Sequence, residues 1–367
     1  MLFAAAAERG RALASRWRGL RPSFWCVLGH TDTCLLPGIS SAGLSEELRP
    51  LTPAADAEVV LLGAPRCLPQ LPSNPLGAPG PAGITCAALR LAGIEANFVG
   101  AGLRVWPQTP CIRASDVPGG LIDLGTAVSD AWQLFETGLQ LGREIGAKAD
   151  YLVLGESVPG GTTTALAVLL ALGYDAEGRV SGSMPGNAHV LKTRVARAAL
   201  DAAGLMTGDG LRDPLRAVSR VGDPMQPLAA GMAIGAECDV LLAGGSQMVA
   251  VAALVTALGA RLDHVAVGTT RWVIDDPSAD VVGLIQDVSP DLPLLAANLD
   301  FSTSGHAGLA DYERFLVKEG VGAGGACIAA LLATGCSLAE LHSAIDAAYD
   351  RLLGRLTTCD PADTRRR

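Results

Sequence analysis

Apolar positions along the chain fall into short unbroken runs and longer helical faces, and the two alternate. The short runs at 25–28, 59–62, 96–99, 151–154, 240–242 and 265–267 predict strands. A run such as 151–154, apolar on both faces, belongs in the centre of a covered parallel sheet. Between the strands, 84–91 and 162–172 read as helices, and over 130–147 Ala131, Leu134, Phe135, Leu139, Leu141 and Ile145 recur at helical spacing. Further apolar runs, at 248–258 and 326–333, each open just after a glycine-rich turn. The stretch 64–83 is dense in Pro and Gly and reads as a crossing loop.

Strands that alternate with helices imply right-handed βαβ crossovers. The expected fold class is therefore α/β: a three-layer α/β/α arrangement with an open, mainly parallel Rossmann-like sheet, plus a smaller, partly helical subdomain. The α/β domain is expected over 25–353, its subdomain formed by about 25–125 and the C-terminal helices. A flexible extension is expected at 1–24, carrying Arg9, Arg11, Arg16, Arg18 and Arg21, and a polar tail at 354–367. Sheets of this kind bind ligands outside the carboxyl ends of their strands, which directs attention to the loops after each strand.

Composition narrows the function classes. Hydrophobic residues make up 49% but aromatics only 4%, so Ala, Leu, Val and Ile must build the core. A net charge of -9 argues against a nucleic-acid partner, which needs clustered Lys and Arg. The nine cysteines are scattered without a paired spacing, fitting neither a disulfide framework nor a zinc site, and are read as reduced thiols of a cytoplasmic protein. The apolar stretch from Val240 is interrupted by Gly244-Gly245-Ser246-Gln247, leaving a run too short for a membrane span of about 20 residues.

The most informative segment is Gly155-Glu156-Ser157-Val158-Pro159-Gly160-Gly161-Thr162-Thr163-Thr164, between a buried strand and an apolar helix. Glycines let the backbone approach an anion and the helix start offers free N–H groups, so a phosphate is the natural guest. A structural turn would explain the same glycines. Glu156 would repel phosphate and is suited instead to ribose hydroxyls or to ordering the loop. A second segment, Lys318-Glu319-Gly320-Val321-Gly322-Ala323, sets one carboxylate among glycines; covered from water, it would have its pKa raised toward that of a general base. A solvated turn is the plainer explanation of that residue taken alone.

In this order the segments resemble the nicotinate-nucleotide:dimethylbenzimidazole phosphoribosyltransferase family, and more closely its divergent archaeal and cyanobacterial branch, from about Gly29 to Leu353. Gly155 to Thr163 is similar to the family's Gly-Glu-Met-Gly-Ile-Gly-Asn-Thr-Thr loop, and the segment around Glu319 to its Gly-Glu-Gly-Thr-Gly-Ala. Leu191-Lys192-Thr193-Arg194 resembles the helix whose lysine helps hold the nucleotide phosphate. Gly244-Gly245-Ser246 stands where the family has Asp-Gly-Phe, and Pro81-Ala82-Gly83-Ile84-Thr85-Cys86 replaces its usual base-binding stretch.

The resemblance implies transfer of phosphoribose from nicotinate mononucleotide to a nitrogenous base, for the lower ligand of a cobalamin-type cofactor. The base is open among dimethylbenzimidazole, adenine and other azoles. It implies Glu319 as catalytic base; Glu156, Gly160, Gly161, Thr162, Thr163, Lys192, Gly245 and Ser246 around phosphate and ribose; and Gly268, Thr269, Gly320, Gly322 and His306 nearby. No cofactor, metal or membrane partner is expected; a homodimer is what the resemblance suggests. The pair Asp275-Asp276, followed by Pro277, reads as a turn, and the histidines lack metal-ligand spacing. A non-catalytic nucleotide-binding sensor or carrier is the alternative. A dinucleotide-dependent oxidoreductase fits less well, because no Gly-x-Gly-x-x-Gly follows an early strand.

Overall fold

The structure is a computed structural model and describes residues 1–358. Seven strands run parallel: β2 (Ser23–Gly29), β3 (Ala96–Ala101), β4 (Ile112–Ser115), β5 (Tyr151–Ser157), β6 (Asp239–Ala243), β7 (Val265–Thr270) and β8 (Leu294–Ala297). One antiparallel strand, β1 (Leu2–Ala5), closes an edge against β8. The order across the sheet is β1-β8-β7-β6-β5-β2-β3-β4. β5 lies in the middle, and all seven of its residues are buried, which is why its sequence shows no alternation.

Helices cover both faces, so the expected three-layer α/β class is the one observed. The first helices in the chain are α1 (Ala7–Trp17), α2 (Thr52–Leu62), α3 (Ala82–Ala92), α4 (Ala131–Gly146), α5 (Gly161–Ala171), α6 (His189–Ala203) and α7 (Pro214–Val221). They are followed by α8 (Met225–Gly235), α9 (Ser246–Ala257), α10 (Arg271–Ile274), α11 (Val281–Val288), α12 (Ala307–Ala310), α13 (Ala323–Thr334) and α14 (Leu338–Thr358). One apolar core packs α4 to α9 and α11 on one face of the sheet. The other packs α1, α2, α3, α13 and α14 on the opposite face. The segment 25–125 and the C-terminal helices meet there, with α3 against α13 and α14. No helix among the described residues is long and apolar enough to cross a membrane.

Three expectations are corrected. The run 59–62 is the end of α2 rather than a strand. Every residue from Pro53 to Val60 is buried, so the helix shows no polar face to betray its period, and Gly63, in the left-handed region at φ 73°, ends it. The Arg-rich segment 1–24 is no flexible extension: β1 pairs with β8, and Trp17 of α1 stacks on Tyr151, centroids 4.8 Å apart, while its Nε1 donates to Asp239 at 2.7 Å. The tail starts later than residue 354, since α14 runs to Thr358; residues 359–367, with Cys359, lie outside the described residues.

Several glycines serve close packing rather than turns. A Cβ on Gly138 of α4 would lie 2.3 Å from the carbonyl oxygen of Leu228, and one on Gly231 of α8 would lie 2.3 Å from that of Phe135. The two helix backbones are therefore in direct contact. Gly138→Ala gains about 1 kcal/mol of helix propensity but must separate them, and is expected to destabilise the protein by about 1–3 kcal/mol net. Urea unfolding checks this; an unchanged or raised midpoint would show that the interface yields.

Candidate functional site

The order of the sheet creates a switch point. From β2 the chain continues to β3 on one side, and from β5 it continues to β6 on the other, so the loops after β2 and β5 part above their carboxyl ends. A cavity of about 150 Å³ opens there, lined by residues 39–43 after β2, by 156–160 and Thr162 after β5, by Thr52 and Asp56 of α2, and by 317–321 ahead of α13. Gly160 permits the approach: its φ is 80°, and a Cβ there would lie 3.0 Å from the Cys34 backbone.

Three carboxyl groups line this cavity, Asp56, Glu156 and Glu319, and the backbone joins the last two. The Val321 N–H donates to the Glu156 carbonyl at 2.7 Å, which fastens the 318–322 segment to the end of β5. Beneath it, a Cβ on Gly155 would stand 3.1 Å from Gly322 Cα, so a side chain at either position would press the two segments apart by a few tenths of an ångström. Glu319 accepts from the Gly320 N–H at 3.1 Å, from the Gly324 N–H at 3.1 and 3.2 Å, and from Thr269 Oγ1 at 3.3 Å. Burial nevertheless pushes its pKa up to about 7, these donors opposing the rise. Glu156 is pushed further, to about 8, by burial first and then by the neighbouring Glu319 and Asp223. Near neutral pH, Glu156 is the protonated partner and Glu319 the one that exchanges its proton.

Two lysines lie opposite, in different states. Lys318 is fully buried and its Nζ meets Asp276 Oδ2 at 2.6 Å, an oxygen that also accepts from Ser181 Oγ at 2.7 Å and Asn187 Nδ2 at 2.8 Å. Against the cost of burial, these bonds hold the Asp276 carboxyl below its usual range. Lys192 of α6 is 2% exposed, and its Nζ makes no hydrogen bond or ion pair among the described residues. Burial, with Lys318 nearby, lowers its pKa to about 7. Lys192 is thus a buried amine with no direct anionic partner among the described residues, Asp276 acting on it only from a distance, at the wall of the cavity.

The structure brings Glu156, Gly160, Thr162, Lys192, Gly245, Ser246, Glu319 and Gly320 to this one cavity. Ser246 works through the backbone: its Oγ accepts from Ser181 N at 2.7 Å and donates to Ser181 O at 3.2 Å, holding the 181–184 loop over the site. Thr269 reaches Glu319 without facing the cavity. Gly161, Thr163, Gly268 and Gly322 stand behind the wall, in packing roles; Thr163 is fully buried and a Cβ on Gly268 would meet Leu241 at 2.8 Å. His306 is not brought to the site: its ring lies beside Tyr349 and contacts the Asp346 carbonyl and Asp350. Among the described residues no group of His, Cys, Asp and Glu could hold a metal ion.

Sequence reasoning missed two acidic residues. Asp275-Asp276 does form a turn, but only Asp275 is exposed, and Asp276 points inward to Lys318. Asp56 is buried within α2 and lines the cavity. Its signal was one of two carboxylates, with Glu58, in the otherwise apolar Ala-Asp-Ala-Glu-Val-Val run.

The raised pKa of Glu156 has a consequence for stability. The unfolded chain gives up this proton near its ordinary value of 4.5, whereas the folded chain holds it to about 8. Stability from this group is therefore complete below about pH 4.5 and declines as pH rises toward 8. Glu156→Gln, which cannot ionise, is expected to raise the melting temperature by about 2–5 °C near pH 8 and to leave it unchanged near pH 4. Calorimetry at the two pH values checks this; equal shifts at both would mean that ionisation is not the cause.

Comparison with known proteins places the chain among relatives. A UPF0284 protein of Methanothermobacter thermautotrophicus is 46% identical over 314 residues, covering 84% of this chain and 87% of its own length. A UPF0284 protein of Gloeobacter violaceus is 45% identical over 356 residues, covering 94% and 92%. Among solved structures, the nicotinate-nucleotide-dimethylbenzimidazole phosphoribosyltransferase of Thermus thermophilus aligns with a TM-score of 0.58 at 20% identity, over 94% of this chain and 88% of that one, a likeness of fold. No protein-family model matches the chain. With relatives of this identity along most of both lengths, the chain belongs to the UPF0284 protein family.

Proposed function

We propose that this protein transfers phosphoribose from nicotinate mononucleotide to a nitrogen heteroaromatic base, yielding nicotinate and a base ribotide of the α-ribazole phosphate type. The observation that carries this is the pairing, across one cavity, of an unpartnered buried cation, Lys192, with a buried carboxylate, Glu319, that has no cation of its own. The first calls for an anion such as a phosphate; the second is poised to take a proton near neutral pH. The fold neighbour named above carries such an activity in its name, and the sequence motifs resemble that family.

In the reaction, the bond between ribose C1′ and the pyridinium nitrogen breaks, and its electron pair returns to the ring, so nicotinate leaves without needing a proton. A nitrogen of the incoming base forms the new bond to C1′ from the opposite side, while its N–H proton passes to Glu319. Lys192 and the 160–162 loop hold the 5′-phosphate, so that binding energy remote from C1′ aligns the reactants. Glu156, protonated, can donate to a ribose hydroxyl without repelling the phosphate. Lys318 is neutralised by Asp276 and acts as a scaffold for Glu319, through the 181–184 loop, where Ser183 Oγ donates to the Glu319 carbonyl at 3.0 Å.

Purified protein with nicotinate mononucleotide and a panel of dimethylbenzimidazole, benzimidazole and adenine, followed by mass, is expected to give a ribotide with at least one base. Glu319→Gln is expected to lower kcat by about 100-fold or more. Lys192→Met is expected to raise the donor KM by about tenfold or more, with a smaller effect on kcat. Nucleotide binding without product from any base would favour a sensor or carrier.

The pH profile of kcat/KM follows from the same two groups. Glu319 must have lost its proton and Lys192 must have kept one, and both titrate at about 7 in the free protein. A narrow bell is expected, its acid limb from Glu319 and its alkaline limb from Lys192. A rate rising without limit to high pH would remove Lys192 from phosphate binding.

A further inference from the structure

One part of the cavity wall is not used by phosphate, ribose or proton transfer. Thr52 and Asp56 lie one turn apart on the same face of α2, and both line the cavity. Two of their polar atoms, Thr52 Oγ1 and Asp56 Oδ1, are buried and have no hydrogen-bond partner. The other Asp56 oxygen is committed, since Ser157 Oγ donates to Oδ2 at 2.7 Å. No cation pairs with Asp56, and burial pushes its pKa up to about 7. Two orphaned polar atoms side by side are costly, by about 1–3 kcal/mol each, unless a bound molecule completes them.

The chemistry of that molecule is constrained. With Ser157 Oγ donating to Oδ2, the ionised Asp56 carboxylate leaves Oδ1 as its free acceptor, and a ligand N–H that bonds to Oδ1 favours that ionised form. Oδ1 requires an N–H or O–H. The Thr52 hydroxyl can donate to a ring nitrogen beside it. The same cavity is also lined by Ile39, Pro72 and Pro81, apolar side chains that suit the faces of a flat ring. Dimethylbenzimidazole, whose benzo edge bears only methyl groups, would bury Asp56 Oδ1 against carbon.

We propose that the Thr52–Asp56 face of α2 reads the edge of the acceptor base, and that the acceptor is a heteroaromatic ring carrying an exocyclic amino group beside a ring nitrogen, as in an aminopurine. This rests on the phosphoribosyl-transfer function, with Glu319 taking the proton at the reacting nitrogen and Asp56 taking an N–H at a different edge of the ring. Asp56 is a specificity-determining residue here, since it contacts the base away from the bond that forms.

Adenine, purine and hypoxanthine test this, as they share a ring system and differ only at the six-membered edge: an amino group beside a bare N1, a bare N1 alone, and a carbonyl beside an N1–H. Binding of each to the whole protein is measured by calorimetry, and turnover with nicotinate mononucleotide by mass. Adenine is expected to exceed purine by about tenfold or more, in affinity and in kcat/KM. In Asp56→Asn, Ser157 still donates to the side-chain oxygen and the amide N–H₂ faces the cavity in place of Oδ1. The preference is then expected to turn from adenine toward hypoxanthine, a gain that misfolding cannot produce. Thr52→Val, which removes the donor to the ring nitrogen that adenine and purine share, is expected to weaken both by a similar factor.

Equal binding of adenine and purine, or an Asp56→Asn protein that loses all acceptors in the same proportion, would overturn the proposal. If no base is turned over at all, the transfer function falls, while the calorimetric ranking still decides whether Asp56 reads an amino group.

Discussion

One short piece of backbone contact holds the site together. The Val321 N–H donates to the Glu156 carbonyl, with Gly155 and Gly322 so close beneath it that a side chain on either would press the two segments apart. This joins the last turn of the central strand to the segment before α13, which is distant in sequence, and it sets Glu156 and Glu319 side by side. Everything else about the site follows from that adjacency. Burial raises the pKa of both carboxyls, and Glu319 adds to the rise at Glu156, so Glu156 holds its proton to higher pH than Glu319 does. The local backbone bears some strain, since Val321 lies at φ 55°, in the left-handed region that β-branched residues avoid.

The lysines show how a protein can bury cations for different ends. Lys318 is matched by Asp276, Asn187 and a carbonyl of the 181–187 loop, so its charge is spent within the protein and serves to anchor the loop beside Glu319. Lys192 is buried nearly as deeply with no hydrogen bond or ion pair among the described residues, a state that costs stability and that the phosphate of the proposed donor would relieve. The contrast between them, rather than the presence of either, distinguishes the ligand-facing residue from the structural one.

Much of the fold was legible in the sequence because its central strands are apolar on both faces and its turns are marked by glycine. The glycine loop after β5 and the carboxylate at 319 were legible for the same reason, as glycines stood where a backbone must come close. The errors have separate physical origins. In α2 every residue from Pro53 to Val60 is buried, so a helix without a polar face was indistinguishable from a strand at 59–62, and Asp56 went with it. The basic segment 1–24 was misjudged since the contact of Trp17 with Tyr151 and Asp239 joins residues far apart in the chain. His306 stands close to Glu319 in sequence, but the turn at 311–314 carries it to the side of Tyr349.

The most direct test is a crystal structure of the protein with nicotinate mononucleotide bound. The phosphate is expected within hydrogen-bond distance of Lys192 and the N–H groups of the 160–162 loop, with ribose C1′ turned toward Glu319 and the α2 wall left open for the acceptor. A nucleotide bound with its phosphate away from Lys192, or with C1′ facing away from Glu319, would contradict the pairing of buried cation and buried base on which the function rests.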